Sequence, residues 1–531
     1  VHEGAVTDTR VDNQAPPLAG YDLVAENRPL LEGLRREGAG WYEETLLAFG
    51  EELGGEPLEW GRLANEHPPR LRTHDRYGNR IDEVEFHPAW HALLQLGVET
   101  GVHALSWREG RDGAQVARAA AFVALAQVEQ GVGCPLSMTH AAVPALRASP
   151  ELAAEWEPLL ASTVYEPGLV PAHEKQGALC GMAMTERQGG SDVRANETEA
   201  RPSGDGEASL RGHKWFCSAP MCDAFLVLAQ APAGLSCYLV PRVLPDGSRN
   251  AFEIDRLKDK LGNRSNASSE IRLEDAWGRL VGEEGRGVAT IIEMVVHTRL
   301  DCVLGSTALM RQAVAEATHH AAHRHAFGRA LADQPLMRNV LADLCVESEA
   351  ATVSALRLAR AFDERDDAFR RLATAVLKYW VCKRTPAVVG EALECLGGNG
   401  YVEESGLPRL YRESPLNAIW EGASNVQCLD VLRALQREPE AAESFLAELE
   451  GDGRGRVERA LADATEDGAR RLVETMAVEL QGALLDRHGD PSVAEAFRAR
   501  EGFGAFGTLP AGLEVDRIVE RHRPHVPTSP G

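Results

Sequence analysis

The spacing of apolar residues is what most restricts the folds open to this chain, and it changes character three times from one end to the other. From about residue 28 to 178, stretches rich in Ala, Leu, Glu and Arg have helix-compatible spacing and are separated by Gly/Pro loops such as HPPRLRTHDRYGN and FHPAW. Between about 180 and 282 the runs become short and apolar, AFLVLAQ and LSCYLVP among them, bounded by Gly, Pro and Asp, as strands of a compact sheet domain are. After GEEGRG at 282–287 long helical periodicity resumes in VATIIEMVVHTRL, LMRQAVAEATHHAAHRH, LADLCVESEAATVSALRLARAF and TAVLKYWVCKRTPAVVGEALECL, the last expected to break near Pro386. In the final stretch Leu472, Met476, Leu480 and Leu484 recur at every fourth position and define one helix face. The reading is a mainly α chain with a central β domain: an N-terminal extension and helical domain (1–179), the β domain (180–283), a helical bundle (284–430) and a C-terminal helical domain (431–531).

With 531 residues, 44% of them hydrophobic, the chain is long enough for more than one core. Its net charge of -24 opposes nucleic acid and anionic membranes unless positive charge is gathered locally. Ten cysteines without a CxxC pair suggest neither a structural zinc site nor a redox dithiol, and fit a reducing compartment. VHEGAVTDTR has no basic segment followed by a long apolar run, and no stretch approaches the roughly 18 apolar residues of a spanning helix. AAAFVALAQ at 119–127 suits a buried helix instead, so the expectation is a cytoplasmic protein without membrane insertion.

Five short segments concentrate chemistry-bearing residues. TERQGGSD, Thr185 to Asp192, combines small polar side chains with a Gly-Gly pair, giving either a surface turn or a loop whose amides approach a planar or anionic ligand. HKWFCSAP, His213 to Pro220, sets an aromatic pair before an expected strand at 223–229. Trp215 there packs in the core or covers a flat cofactor, and the peptide groups of Phe216 and Cys217 are placed to orient a heteroaromatic ring. His319 and His323 have the spacing of a shared metal, but no HExxH accompanies them and no metal is expected; Arg324 with Phe327 instead suits a diphosphate at a helix end or subunit edge. CLGGNGY, Cys395 to Tyr401, is either a helix C-cap or a phosphate-facing turn without the lysine of a P-loop. In AIWEGASN, Glu421 stands at a loop-to-helix boundary, stabilised by the helix dipole or, in a dry cavity, poised as a general base.

Taken in order, NEHPPRLRTHDRYGN, EFHPAWHALL, MTERQGGSD, GHKWFCSAP, DRLKDKLGNRSNASSE, CLGGNGYVEESGLPRLYRE and NAIWEGASN resemble the acyl-CoA dehydrogenase family across nearly the whole chain. The closest likeness is to its alkylation-response AidB-like branch. That resemblance implies an acyl-CoA dehydrogenase-like three-domain core holding FAD, commonly in a homotetramer, plus a C-terminal helical domain with a proposed role in binding double-stranded DNA. It assigns FAD contacts to Thr185, Gly190, Ser191, Trp215, Phe216, Cys217, Arg324, Phe327, Gln334, Gly397, Gly398 and Gly400, some reaching a neighbouring subunit. It makes Glu421 the catalytic base and Arg299 a substrate-positioning residue. Val296 and Ala423 depart from the aspartate and threonine common in the family. Residues 431–531 carry 13 arginines and no lysine against 19 acidic residues, a net charge of -6, so nucleic-acid contact there depends on Arg454, Arg456, Arg459, Arg470 and Arg471 forming a patch.

The chemistry the resemblance implies is α-proton removal from an acyl-CoA by Glu421 with transfer of the β-hydride to FAD, followed by an electron acceptor. The alternatives are a flavin-stabilised, DNA-binding protein of alkylation-stress protection without significant dehydrogenation, and a metabolic acyl-CoA dehydrogenase.

Overall fold

Helices and strands alternate along the chain much as the apolar spacing dictates. The computed structural model describes residues 12–527. Helices from Arg28–Arg36 to Pro150–Leu160 form the first domain, and its central helix, Ala114–Val128, is buried on every side, as the unbroken apolar run requires. One expectation fails here. HPPRLRTHDRYGN is not a loop but the first half of a β-hairpin, Arg70–His74 paired antiparallel with Arg80–Glu85. The turn is made by Asp75, whose carboxylate accepts from the amides of Tyr77 and Asn79 while Gly78 takes a φ of 88°.

Seven strands between Cys180–Ala183 and Ser268–Val281 form the middle domain. Ala224–Ala231 and Gly234–Pro241 are a hairpin; both also pair with other strands, so the hydrogen-bonded ladder returns on itself and the sheet curls closed. The expected strand at 223–229 is Ala224–Ala231, and HKWFCS before it is itself strand, the end of Glu207–Ser218. A second apolar core, separate from that of the helical domains, fills this sheet and the helices beneath it.

The bundle is built on a 37-residue helix, Gly287–His323, that joins two segments of the sequence reading into one. Beside it lie Pro335–Asp363 and Asp367–Cys395. The last runs unbroken through Pro386: residues Leu372–Cys382 and Val388–Val389 on either side are buried, and that packing holds the turn despite the missing N–H. Ser424–Arg437 is a single helix that runs across residue 430, and the helices after it share the core of the bundle. Their seam is ionic as well as apolar: Arg500 pairs with Asp343 and Glu347, and Arg521 with Glu349, all buried. No helix among the described residues is long and apolar enough to cross a membrane.

Candidate active site

Two motifs far apart in sequence are tied together by one backbone bond. The amide of Trp215 donates to the carbonyl of Thr185 at 2.8 Å, laying the end of the Glu207–Ser218 strand against the TERQGGSD loop. The loop is anchored by Glu186, which sequence reasoning passed over. Its buried carboxylate accepts from Lys214 Nζ at 2.6 Å, Thr198 Oγ1 at 2.6 Å and the amide of Glu197 at 2.7 Å. Burial would push that carboxyl up, but the Lys214 charge and these donors outweigh it and hold it at about 2. With Glu186 fixed, the Gly189–Ser191 backbone stays open on its outer side. A Cβ at Gly190 would lie 2.5 Å from Thr185 Oγ1, so only glycine keeps the loop this close.

A bulge between Lys214 and Cys217 turns the strand end. Phe216 adopts a φ of 55° and remains 57% exposed, while Cys217 points into the sheet. The ammonium of Lys258 lies 3.7 Å from the centre of the Trp215 ring and 4.4 Å from that of Phe216. Cys217 does not line the cavity: its carbonyl accepts from Ser269 Oγ and burial pushes its thiol up to about 12, so it offers no nucleophile.

Glu421 lies just before the Ser424–Arg437 helix, with a φ of 58°. Its carboxylate accepts from Thr298 Oγ1 at 2.7 Å, and its carbonyl from Arg299 Nε and Gln427 Nε2, each at 3.1 Å. Burial raises the carboxyl above the ordinary glutamate value, against the Thr298 hydrogen bond and the charges of Lys378 and Arg299. The Glu421 amide donates to no acceptor among the described residues. Arg299 stands directly beside Glu421. Its guanidinium is held by Asp430 at 2.7 Å and by the Glu421 carbonyl, so it braces the backbone of the base at the cavity wall.

Thr185, Gly190, Ser191, Trp215, Phe216, Arg299 and Glu421 all line one cavity of about 1430 Å³. That exceeds the roughly 300–1,000 Å³ of a typical small-molecule site and suits two ligands side by side. An aromatic wall, a glycine-opened backbone and a half-buried glutamate fit a flavin and a substrate. The sequence reading also missed Lys260 in this wall. Its ammonium donates to Asn266 O at 2.7 Å and Ser268 Oγ at 2.9 Å, and burial lowers it to about 8.

The remaining expected cofactor residues are not part of this cavity. Arg324 donates to the carbonyl of Asn13, Gln334 Nε2 to Ala326 O at 3.0 Å, and Phe327 is 97% exposed. Gly397 and Gly398 stand in open space, and Gly400 is packed against Leu393 O. Asn13 bonds the 324–325 backbone turn and Gln14 accepts from Asn399, so these two loops form one separate face. His319 Nε2 bonds to the carbonyl of Pro16 at 2.9 Å and His323 Nδ1 to that of His319 at 2.8 Å. Of the five C-terminal arginines, Arg454 is paired with Glu458, Arg456 with Glu479, and Arg470 bonds Asn425.

The fold and this cavity define the class of protein: the chain belongs to the acyl-CoA dehydrogenase family. Residues 13–167 match the adaptive response protein AidB N-terminal domain, 181–276 the acyl-CoA dehydrogenase middle domain and 285–436 the acyl-CoA dehydrogenase C-terminal domain. Its place is in the AidB-like branch. It is 47% identical to AidB of Escherichia coli (strain K12) over 504 residues, 92% of this chain and 93% of that one. The crystal structure of Caenorhabditis elegans ACDH-11 in complex with C11-CoA aligns with a TM-score of 0.83 at 27% identity, covering 97% of this chain and 93% of that chain. An acyl-CoA dehydrogenase from Bacillus anthracis complexed with FAD shares the fold, with a TM-score of 0.60 at 20% identity, covering 78% and 77%.

Proposed function

We propose that the cavity holds FAD and an acyl-CoA thioester, and that the chain is an FAD-dependent oxidoreductase of the acyl-CoA dehydrogenase type. The observation that carries this reading is Glu421: a carboxylate raised by burial, aimed into the same cavity as the Trp215 wall and the Gly190 loop. Thr185, Gly190, Ser191, Trp215 and Phe216 would hold the flavin ring, and Lys258 and Lys260 bring positive charge to the same wall. When bound, FAD supplies the acceptor for the hydride leaving C3 of the acyl chain. Glu421 removes the proton from C2, and its unbonded amide is available to the thioester carbonyl, where charge builds as that proton leaves. The product is a trans-2-enoyl thioester, and an external acceptor takes the electrons.

Arg324, Phe327, Gln334, Gly397, Gly398 and Gly400 fit the same scheme as the face that completes the flavin site of a second copy. Phe327, Leu336, Tyr401 and Val402 are exposed apolar residues in or beside those loops, which supports a homotetramer. Protection against alkylation through DNA binding is the weaker reading. Arg454 and Arg456 are neutralised by glutamates, in a region whose net charge is -6.

The test is anaerobic mixing of the yellow holoprotein with a panel of acyl-CoAs that includes C11-CoA. Bleaching of the flavin by at least one thioester, slowed about a hundredfold or more in Glu421→Gln, is expected. No bleaching across the panel would contradict the reading.

A further inference from the structure

We propose that Lys378 is a positioning residue for Glu421: by holding the carbonyls on either side of it, Lys378 sets the direction in which Glu421 presents its carboxylate and its amide to the cavity. The inference rests on the function proposed above and deepens it.

Lys378 stands in the middle of the Asp367–Cys395 helix, where the flanking residues are apolar and buried, and it is itself only 1% exposed. Its Nζ donates to Trp420 O at 2.7 Å and to Gly422 O at 2.6 Å. It takes part in none of the ion pairs among the described residues, although no other buried lysine lacks a carboxylate or a hydroxyl partner. An ammonium in such a place is costly to desolvate, and packing alone would be served better by Leu or Met. The two carbonyls it bonds are those that flank the base.

What it holds is a strained segment. Glu421 is a non-glycine residue in the left-handed region, a strained conformation that persists only where the surroundings over-determine it. Three side chains do so. Lys378 holds the carbonyls before and after Glu421, Gln427 those of Glu421 and Gly422, and Arg299 that of Glu421. In a trans peptide the N–H points opposite to the C=O. Drawing Trp420 O toward the helix therefore turns the Glu421 amide away from it, and that amide donates to no acceptor among the described residues. The ammonium also lies close enough to favour the ionised form of the base. Lysine suits this task where arginine does not: a compact charge with freely turning donors meets two carbonyls that a planar fork would not bridge.

The test uses full-length holoprotein as wild type, Lys378→Met, Lys378→Gln and Glu421→Gln. The Glu421 carboxyl is titrated by infrared difference spectroscopy with 13C-labelled glutamate, Glu421→Gln identifying its band, so the readout needs no turnover. Flavin bleaching by saturating acyl-CoA is followed over the same pH range. Lys378→Met is expected to move the Glu421 titration upward by about one pH unit or more and to slow bleaching at pH 7 about tenfold, with recovery at higher pH. Lys378→Gln, which keeps a donor but no charge, is expected to fall between. A Glu421 titration unchanged in a folded, flavin-loaded Lys378→Met would overturn the proposal. So would failure of both variants to fold, which would make Lys378 a requirement of folding. If wild type bleaches with no thioester while the titration still shifts in Lys378→Met, the dehydrogenase reading fails and the positioning role stands.

Discussion

Glu421 is subject to opposing demands. Burial raises its proton affinity, which a base near neutral pH requires, while Thr298, Lys378 and Arg299 keep the ionised form accessible. Thr298→Val removes the hydrogen bond to the carboxylate and keeps the shape of the side chain. Because that bond favours the charged form, its loss raises the Glu421 pKa further and moves the acid limb of the bleaching rate about one unit toward higher pH. A pH profile superimposable on wild type would show that the bond does not act on the base. From AIWEGASN alone Glu421 reads as a dipole-stabilised helix start or a general base; its candidacy as the catalytic base comes from the resemblance to the acyl-CoA dehydrogenase family. Thr298 and Lys378 were not legible in the sequence. Each looks like an ordinary helix residue, and what matters is their approach across 123 and more than 40 positions of chain.

At the scale of elements, the cavity wall depends on a loop held by one ion pair. Lys214 and Glu186 are fully buried, and removing one partner leaves the other uncompensated. Lys214→Met is expected to cost about 3–5 kcal/mol in chemical unfolding and to loosen the Thr185–Ser191 loop, so flavin is lost on dialysis. A variant as stable as wild type with full flavin content would contradict this. The long helices and the strands at Ala224–Ala231 and Gly234–Pro241 could be read from apolar periodicity, which reports local burial directly. The Arg70–Glu85 hairpin could not, because its strands are mostly polar and carry few apolar residues to mark the period. Continuity through Pro386 also escaped, since it is supplied by neighbouring helices rather than by the local sequence.

The whole molecule is joined where its three core domains meet beside the cavity. Glu129 follows the Ala114–Val128 helix and accepts from Ser265 Oγ of the β domain at 2.6 Å. Glu413, ending a bundle helix, accepts from Asn263 Nδ2 at 2.9 Å. Burial first, and the Glu129 charge second, push the Glu413 carboxyl up to about 7. Since the folded value lies above the unfolded one, the folded chain holds this proton longer, and stability falls as pH rises from about 4.5 to 7. Glu413→Gln removes that loss. Its stability relative to wild type is expected to improve by roughly 2–3 kcal/mol between pH 5 and pH 8, measured by chemical unfolding; a constant difference would contradict the junction's titration. The C-terminal helices are part of the same body, because Asp343, Glu347 and Glu349 of the bundle are neutralised by Arg500 and Arg521. Domain order was legible in the sequence, but this ionic seam, formed by residues more than 150 positions apart, was not.

The most direct test of the central claim, that Glu421 takes the C2 proton of a thioester lying in this cavity, is the isotope effect on anaerobic flavin bleaching with acyl-CoA deuterated at C2. A rate lowered about twofold or more by deuterium in wild type, and nearly abolished in Glu421→Gln with flavin still bound, is the predicted result. Equal rates for the two isotopologues together with undiminished bleaching in Glu421→Gln would contradict it.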